Sequence, residues 1–103
     1  SYNTNTYSNL SPNSSPYGYG NGWVTIWTDC GTDGEIKVYL NGIYIGKLTQ
    51  YFTSGTPDCG ESGTLSTNKP AGIYKIEAKG NEYSWSGTIT ITKDRCLIQG
   101  LKK

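Results

Sequence analysis

Residues 35–48, "EIKVYLNGIYIGKL", constrain the fold of this chain more than any other segment. Asn41 and Gly42 separate two stretches in which apolar and polar residues alternate. This dipeptide favours the positive φ angles of a two-residue type I′ turn. The sequence therefore predicts a β-hairpin in which Leu40 faces Ile43 and like residues pair on both sides of the turn.

The register of this hairpin predicts an irregularity in its second strand. Pairing outward from the turn places Val38 opposite Ile45. One step further, Lys47 would lie beside Ile36 on the apolar face, and a charged lysine does not fit on a face that is buried. A β-bulge at Gly46 restores the alternation by inserting one extra residue.

Composition predicts that the rest of the chain is also β-structure. The 103 residues include 14 Gly, 9 Tyr and 3 Trp but only one Phe, and they are sufficient for one domain. Turn residues break residues 23–103 into short alternating segments, which predicts a seven-stranded antiparallel β-sandwich of Ig-like type. Trp85, Ile89 and Ile91 share one face of a predicted strand and are expected in the core. The last four predicted strands cover residues 64–68, 73–79, 84–92 and 95–101.

Residues 1–22 differ from the rest and are predicted to form an extended N-terminal arm. Their only aliphatic side chain is Leu10, among Ser, Asn, Thr, Tyr, Gly and Pro. An extended arm can add its backbone to an exposed sheet edge of another copy. Such a head-to-tail contact is heterologous and produces filaments. The expected anchors are Tyr2, Tyr7, Leu10, Tyr17 and Tyr19.

Catalysis is not expected. The chain has no histidine, and its sequence offers no pairing of a nucleophile with a base. Asp58 and Glu61 could serve as a glycosidase pair only in a cleft that a small sandwich has little volume to form. We therefore predict no enzyme activity and no cofactor.

Charge and hydropathy exclude two classes of partner. Nine Lys and Arg are balanced by eight Asp and Glu without a basic run, so nucleic acid is not expected. Apolar runs of four to six residues are too short to insert into a membrane.

The carboxylates of Asp29, Asp33 and Glu35 could collect around calcium, but their spacing matches no known loop. A solvated acidic turn without metal is the favoured interpretation.

Trp23 and Trp27 lie four residues apart on one predicted strand. Val24 and Ile26 form its inner face, so the two rings point outward, roughly 13 Å apart. They form either a flat aromatic strip that contacts sugar rings or another protein, or a surface that the N-terminal arm covers. The strip would be extended by two hairpin residues, Tyr39 and Tyr44.

Three cysteines in a small β domain indicate an oxidising, extracellular location. Three pairings are open. An up-and-down strand count places Cys30 and Cys59 at the same end of the sandwich and Cys96 at the other, but residues 49–63 are long enough to cross the sandwich edge.

The segments "GEIKVYLNGIYIGKL", "PAGIYKIEAKG" and "SGTITIT" resemble PEGA-like and related small β-sandwich modules of secreted bacterial proteins, over residues 34–101. The resemblance implies a cell-surface or extracellular location and transfers no active site. Modules of this kind carry cysteines that match Cys59 and Cys96, which implies a disulfide between these two. Cys30 is then either buried, which we favour, or bonded to another chain.

Together these features predict a non-catalytic structural or adhesive subunit that acts through protein contacts. Its expected partners are other copies of itself or a surface protein. The alternative is a carbohydrate-binding module that stacks polysaccharide on Trp23 and Trp27.

Overall fold

The computed structural model describes the backbone of residues 2–9 and the complete residues 20–103. Seven strands from residue 21 onward form two packed sheets, and one more strand lies in the arm. The all-β sandwich with an extended arm is therefore confirmed. The strands are β1 (Tyr2–Asn9), β2 (Asn21–Thr28), β3 (Ile36–Leu40), β4 (Ile43–Leu48), β5 (Leu65–Pro70), β6 (Gly72–Lys79), β7 (Ser84–Ile91) and β8 (Arg95–Lys102).

The first sheet has the strand order β1-β8-β2-β5, and the second has the order β4-β3-β6-β7. The prediction of a wholly antiparallel sandwich is wrong at one place, because β2 and β8 are parallel neighbours. Parallel neighbours need a long crossover connection. Here the chain between β2 and β8 forms all four strands of the second sheet and also β5 of the first.

The predicted hairpin is formed by β3 and β4. Asn41 and Gly42 have φ angles of 50° and 79°, as the type I′ turn requires. Leu40 pairs with Ile43 as predicted.

The predicted bulge is also present, next to Gly46. The register shifts after the first pairs, so that Val38 pairs with Gly46, whose φ is 147°. The expected pairing of Val38 with Ile45 is therefore wrong, since Ile45 is the inserted residue. The shift returns Leu48 to the core, where it is buried.

The main core lies between the two sheets. The predicted core residues Trp85, Ile89 and Ile91 are all buried in it. The indole Nε1 of Trp85 donates a 2.9 Å hydrogen bond to the carbonyl oxygen of Lys102, which satisfies its polar atom. The other members include Val24, Ile26, Ile36, Val38, Leu40, Leu48, Ile76, Ala78, Leu97 and Leu101.

The start of β2 passes close beneath the β7–β8 turn. A Cβ at Gly22 would lie 2.1 Å from the carbonyl oxygen of Thr92, so only glycine fits there. The amide of Asp94 donates to the carbonyl of Asn21 at 3.1 Å, and the amide of Ala71 donates to the carbonyl of Gly20 at 2.9 Å. These two hydrogen bonds fix residues 20 and 21 beside the β5–β6 and β7–β8 turns, where β2 begins.

Candidate functional site

The N-terminal arm contributes the outermost strand of the first sheet. β1 pairs with β8 in antiparallel register along all eight residues, from Tyr2 opposite Lys102 to Asn9 opposite Arg95. The other side of β8 pairs with β2. The outer edge of β8 is therefore a binding site for an extended strand, and the arm of the same chain occupies it.

The sequence of β1, "YNTNTYSN", contains no aliphatic residue. A strand that is polar on both faces has weak register specification and is prone to alternate pairing and exchange. The backbone pairing with β8 runs the full length of this polar strand. Two predicted anchors, Tyr2 and Tyr7, lie in β1, whereas Leu10, Tyr17 and Tyr19 lie outside the described residues.

The outer face of β8 is tied to the sandwich by a disulfide. Cys59 and Cys96 are bonded, with their Cα atoms 6.2 Å apart, which confirms the pairing implied by the resemblance. The pairing of Cys30 with Cys59 suggested by the strand count is wrong. The physical reason is that residues 49–63, here called the covering segment, cross the outer face of the first sheet and bring Cys59 to β8.

Thr25 fixes the covering segment beside this disulfide. Its hydroxyl oxygen accepts a 3.0 Å hydrogen bond from the amide of Gly60 and lies 2.9 Å from the Ser66 hydroxyl oxygen. The same oxygen is 3.4 Å from the Cys96 sulfur. Thr25 is fully buried, so the outer face of the first sheet has a small polar core of its own.

Trp27 lies beneath the covering segment and is only 2 % exposed. The Phe52 ring meets the indole edge-on, with the centroids 6.3 Å apart, and the Lys102 ammonium lies 5.0 Å from the indole centroid. The interpretation of Trp23 and Trp27 as two exposed stacking platforms is therefore wrong. Only Trp23, at 40 % exposure, remains accessible.

Tyr39 and Tyr44 do not extend any strip from Trp23. They lie on the outer face of the second sheet, whereas Trp23 lies on the outer face of the first. Their ring centroids are 5.6 Å apart with an interplanar angle of 60°. Two rings at that angle do not form a flat platform, so the four predicted contact residues do not make one site.

Cys30 is a free thiol that is only 3 % exposed. It packs in the main core, and its amide donates to the Thr28 hydroxyl at 3.0 Å. The predicted burial is confirmed. A disulfide from Cys30 to another chain would require this end of the sandwich to open.

The three carboxylates considered for calcium have separate partners. Asp33 is 2 % exposed, Glu35 lies 2.6 Å from the Lys47 ammonium, and Asp29 accepts a 2.8 Å hydrogen bond from the amide of Lys103. Within the described residues no group of three His, Cys, Asp or Glu could hold a metal ion. The description as a solvated acidic turn is wrong for Asp33, which is buried as an anchor.

Asp33 holds the turn between β6 and β7. Its carboxylate accepts hydrogen bonds from the amides of Glu82 at 2.7 Å and Tyr83 at 2.9 Å. We expect Asp33→Ala to lower the free energy of unfolding by about 2 kcal/mol, because both amides lose their acceptor. Urea unfolding measures this loss. Asp58→Ala, which changes the charge equally at an exposed site, should cost less than about 0.5 kcal/mol; equal losses would contradict the anchoring role.

Asp58 and Glu61 form a local turn in the covering segment. The amide of Asp58 donates to the Glu61 carboxylate at 3.0 Å, and the amide of Glu61 donates to the Asp58 carbonyl at 3.1 Å. The Glu61 carboxylate is therefore engaged in holding this turn.

Comparison with known proteins adds no family to this description. No family model, curated protein or solved structure matches this chain. What the structure shows is a small two-sheet β module with one disulfide, a bond typical of oxidising compartments such as the extracellular space or the periplasm. The described residues contain no helix with the length and apolar character needed to cross a membrane.

Proposed function

We propose that this protein is a non-catalytic structural subunit that joins copies of itself by strand addition, with the N-terminal arm as donor and the edge of β8 as acceptor. The observation that carries the proposal is the complete antiparallel pairing of β1 with β8. Residues 2–9 of the arm contain no aliphatic side chain, yet they pair with the edge of β8 along their whole length. Every copy presents the same edge.

The chain between β1 and β2 is long enough for exchange between copies. Asn9 and Asn21 lie on opposite sides of β8. The segment that joins them within one chain therefore has to span about 10 Å, or two strand spacings. Eleven residues, 10–20, join them, and an extended chain of that length reaches about 40 Å. The arm can therefore pair with β8 of its own chain or with β8 of a neighbour.

Pairing between copies recreates the backbone hydrogen bonds that pairing within one chain provides. The exchange therefore has little enthalpic cost, and protein concentration and linker entropy decide the outcome. One donor and one acceptor per copy permit an open, head-to-tail chain. This geometry supports a filamentous or adhesive role.

The resemblance to PEGA-like modules supports an extracellular or cell-surface location for such assemblies. The disulfide is consistent with that setting, since it requires an oxidising compartment. The disulfide also ties the acceptor strand to the covering segment through Cys96. A firmly held acceptor strand favours exchange of the donor without unfolding of the sandwich.

Deletion of residues 1–19 is expected to abolish self-association while leaving β2 and the hydrogen bond from the Ala71 amide to the Gly20 carbonyl intact. Static light scattering over a range of concentrations should give multiples of 11.2 kDa for the full chain and a monomer for the truncated chain. A second variant keeps the arm but replaces Asn5 and Thr6 with proline, which removes the one ladder donor that two adjacent residues of an edge strand supply and adds a ring that disfavours pairing. It should also be monomeric. A full chain that stays monomeric, or assemblies that survive both changes, would refute the proposal.

Cross-linking tests whether the contact uses this register between chains. In a Cys30→Ala background, a Tyr2→Cys chain mixed with a Lys102→Cys chain should form a disulfide-linked heterodimer, because these residues are partners. A Tyr2→Cys chain mixed with an Arg95→Cys chain is the control. Those positions lie at opposite ends of β8, about 23 Å apart, and should not link. Preferential linking of the control pair would contradict antiparallel addition.

A further inference from the structure

Three lysines lie side by side across the outer face of the second sheet. Lys37 on β3 has Lys47 of β4 as its partner on one side and Lys79 of β6 on the other. All three side chains are exposed. This group, here called the lysine row, spans roughly 10 Å across three strands.

The lysine row is unfavourable for folding, because like charges directly opposite each other on a sheet destabilise it. Only Lys47 has a counter-ion among the described residues, at 2.6 Å from Glu35. The hydrogen bond and the charge of Lys47 lower the pKa of Glu35, so that ion pair persists at neutral pH. Lys37 and Lys79 form no ion pair within the described part of the chain, although the Lys37 charge also contributes to lowering the pKa of Glu35. One carboxylate thus faces three ammonium groups, and positive charge is in excess at the lysine row.

A shallow cavity lies beside these two lysines. Its volume is about 520 Å³, within the range of small-molecule sites. Lys37, Tyr39, Lys79 and Asn81 line it, together with Glu35 and Gly80. Two ammonium groups, a phenol and an amide therefore surround one depression, together with the Glu35 carboxylate, which Lys47 neutralises in an ion pair.

We propose that the lysine row and this cavity bind an acidic polysaccharide, with Lys37 and Lys79 contacting its carboxylate or sulfate groups. The inference does not depend on strand exchange, since it concerns the other sheet. Charge complementarity identifies an anionic ligand. Hydrogen-bonding groups on Tyr39 and Asn81 fit the hydroxyls of a sugar.

Other anionic polymers fit this surface less well. Nucleic-acid binding without sequence preference uses aromatic faces on which bases stack, and here the Lys79 ammonium lies over the Tyr39 ring at 5.6 Å. Binding to an anionic membrane surface is usually accompanied by insertion of apolar side chains, and no aliphatic residue lines the cavity. A hydroxylated, carboxylate-bearing chain is the ligand that matches both the charge and the hydrogen-bonding groups.

Binding of polygalacturonate to the full-length protein, measured by calorimetry at low ionic strength, tests the proposal. The Lys37→Gln/Lys79→Gln variant should bind about tenfold more weakly, because it loses two charge-assisted contacts. Lys69→Gln/Lys93→Gln is the matched control. It changes the net charge equally at positions outside the lysine row and should alter affinity less than twofold. The fully methyl-esterified polymer, which lacks carboxylates, should not bind.

Three results would overturn the proposal. The first is an unmodified protein that does not bind polygalacturonate even at low salt. The second is an equal loss of affinity in both double variants, which would show that net charge alone attracts the polymer. The third is equal or tighter binding to single-stranded DNA or to anionic lipid vesicles, which would assign the lysine row to a different macromolecule.

Discussion

Replacing Cys59 and Cys96 together with alanine is expected to lower the free energy of unfolding by about 3–4 kcal/mol. The disulfide joins residues 37 apart in the sequence, and a cross-link of that loop length restricts the unfolded chain by about this amount. The loss is a large fraction of the stability of a small domain. It also frees the covering segment from β8, so we expect the edge that accepts the arm to become mobile.

Urea unfolding with and without a reducing agent measures this effect. The native protein should become less stable on reduction, whereas the double alanine variant should not respond. Cys30→Ala is the internal control, because it removes a buried thiol but no cross-link, and it should remain sensitive to reductant. A native protein that is indifferent to reductant would contradict a stabilising disulfide at this position.

Trp27→Ala is expected to lower the free energy of unfolding by about 3–5 kcal/mol, the range for truncation of a large buried aromatic side chain. The indole fills the space between the first sheet and the covering segment. Its loss leaves the Phe52 ring and the disulfide without their packing partner. The amide of Phe52 donates to the carbonyl of Thr28 at 2.9 Å. This hydrogen bond would still hold the covering segment to β2 in the variant, but the side-chain packing beneath the segment would be lost.

Trp23→Ala is the matched control on the same strand. Trp23 is the same residue type on the same face, but 40 % exposed, and its truncation should cost less than about 1 kcal/mol. Chemical unfolding of both variants, followed by circular dichroism, gives the comparison. Similar losses for the two variants would mean that the covering segment does not bury Trp27 in solution.

The Trp27→Ala and Trp23→Ala variants also test whether assembly depends on how firmly β8 is held. Both act on the outer face of the first sheet, next to β8, whereas the arm joins β8 at its edge. A Trp27→Ala chain that still folds should therefore assemble more weakly, because its acceptor strand is less firmly held. The lysine row lies on the other sheet, and polygalacturonate binding should be unchanged in this variant.

Local features of the sequence were sufficient to predict much of the fold. The Asn41–Gly42 turn and the bulge beside Gly46 follow from backbone conformation and from side-chain alternation within one hairpin. The burial of Trp85 follows from the same alternation. Each of these depends on residues close together in the chain, where the period of two in a strand decides which side chain faces inward.

The candidate sites were less predictable, because they depend on which surfaces meet. Alternation correctly directs Trp27 away from the main core, but it cannot show that residues 49–63 cross the first sheet and cover the ring. The same crossing brings Cys59 to Cys96. The sequence does not predict the lysine row, because Lys79 is far from Lys37 along the chain and only the pairing of β3 with β6 makes them neighbours.

The sequence by itself determined the all-β class and the hairpin with its bulge, since short-range conformational preference and alternation specify them. Tertiary structure alone decided the parallel contact of β2 with β8, the burial of Trp27 and Asp33, and the row of three lysines. The physical reason is that these features depend on the order of strands in the sheets and on the path of the covering segment. Both bring together residues that are distant in the chain, and the local sequence around one such residue does not indicate its partner.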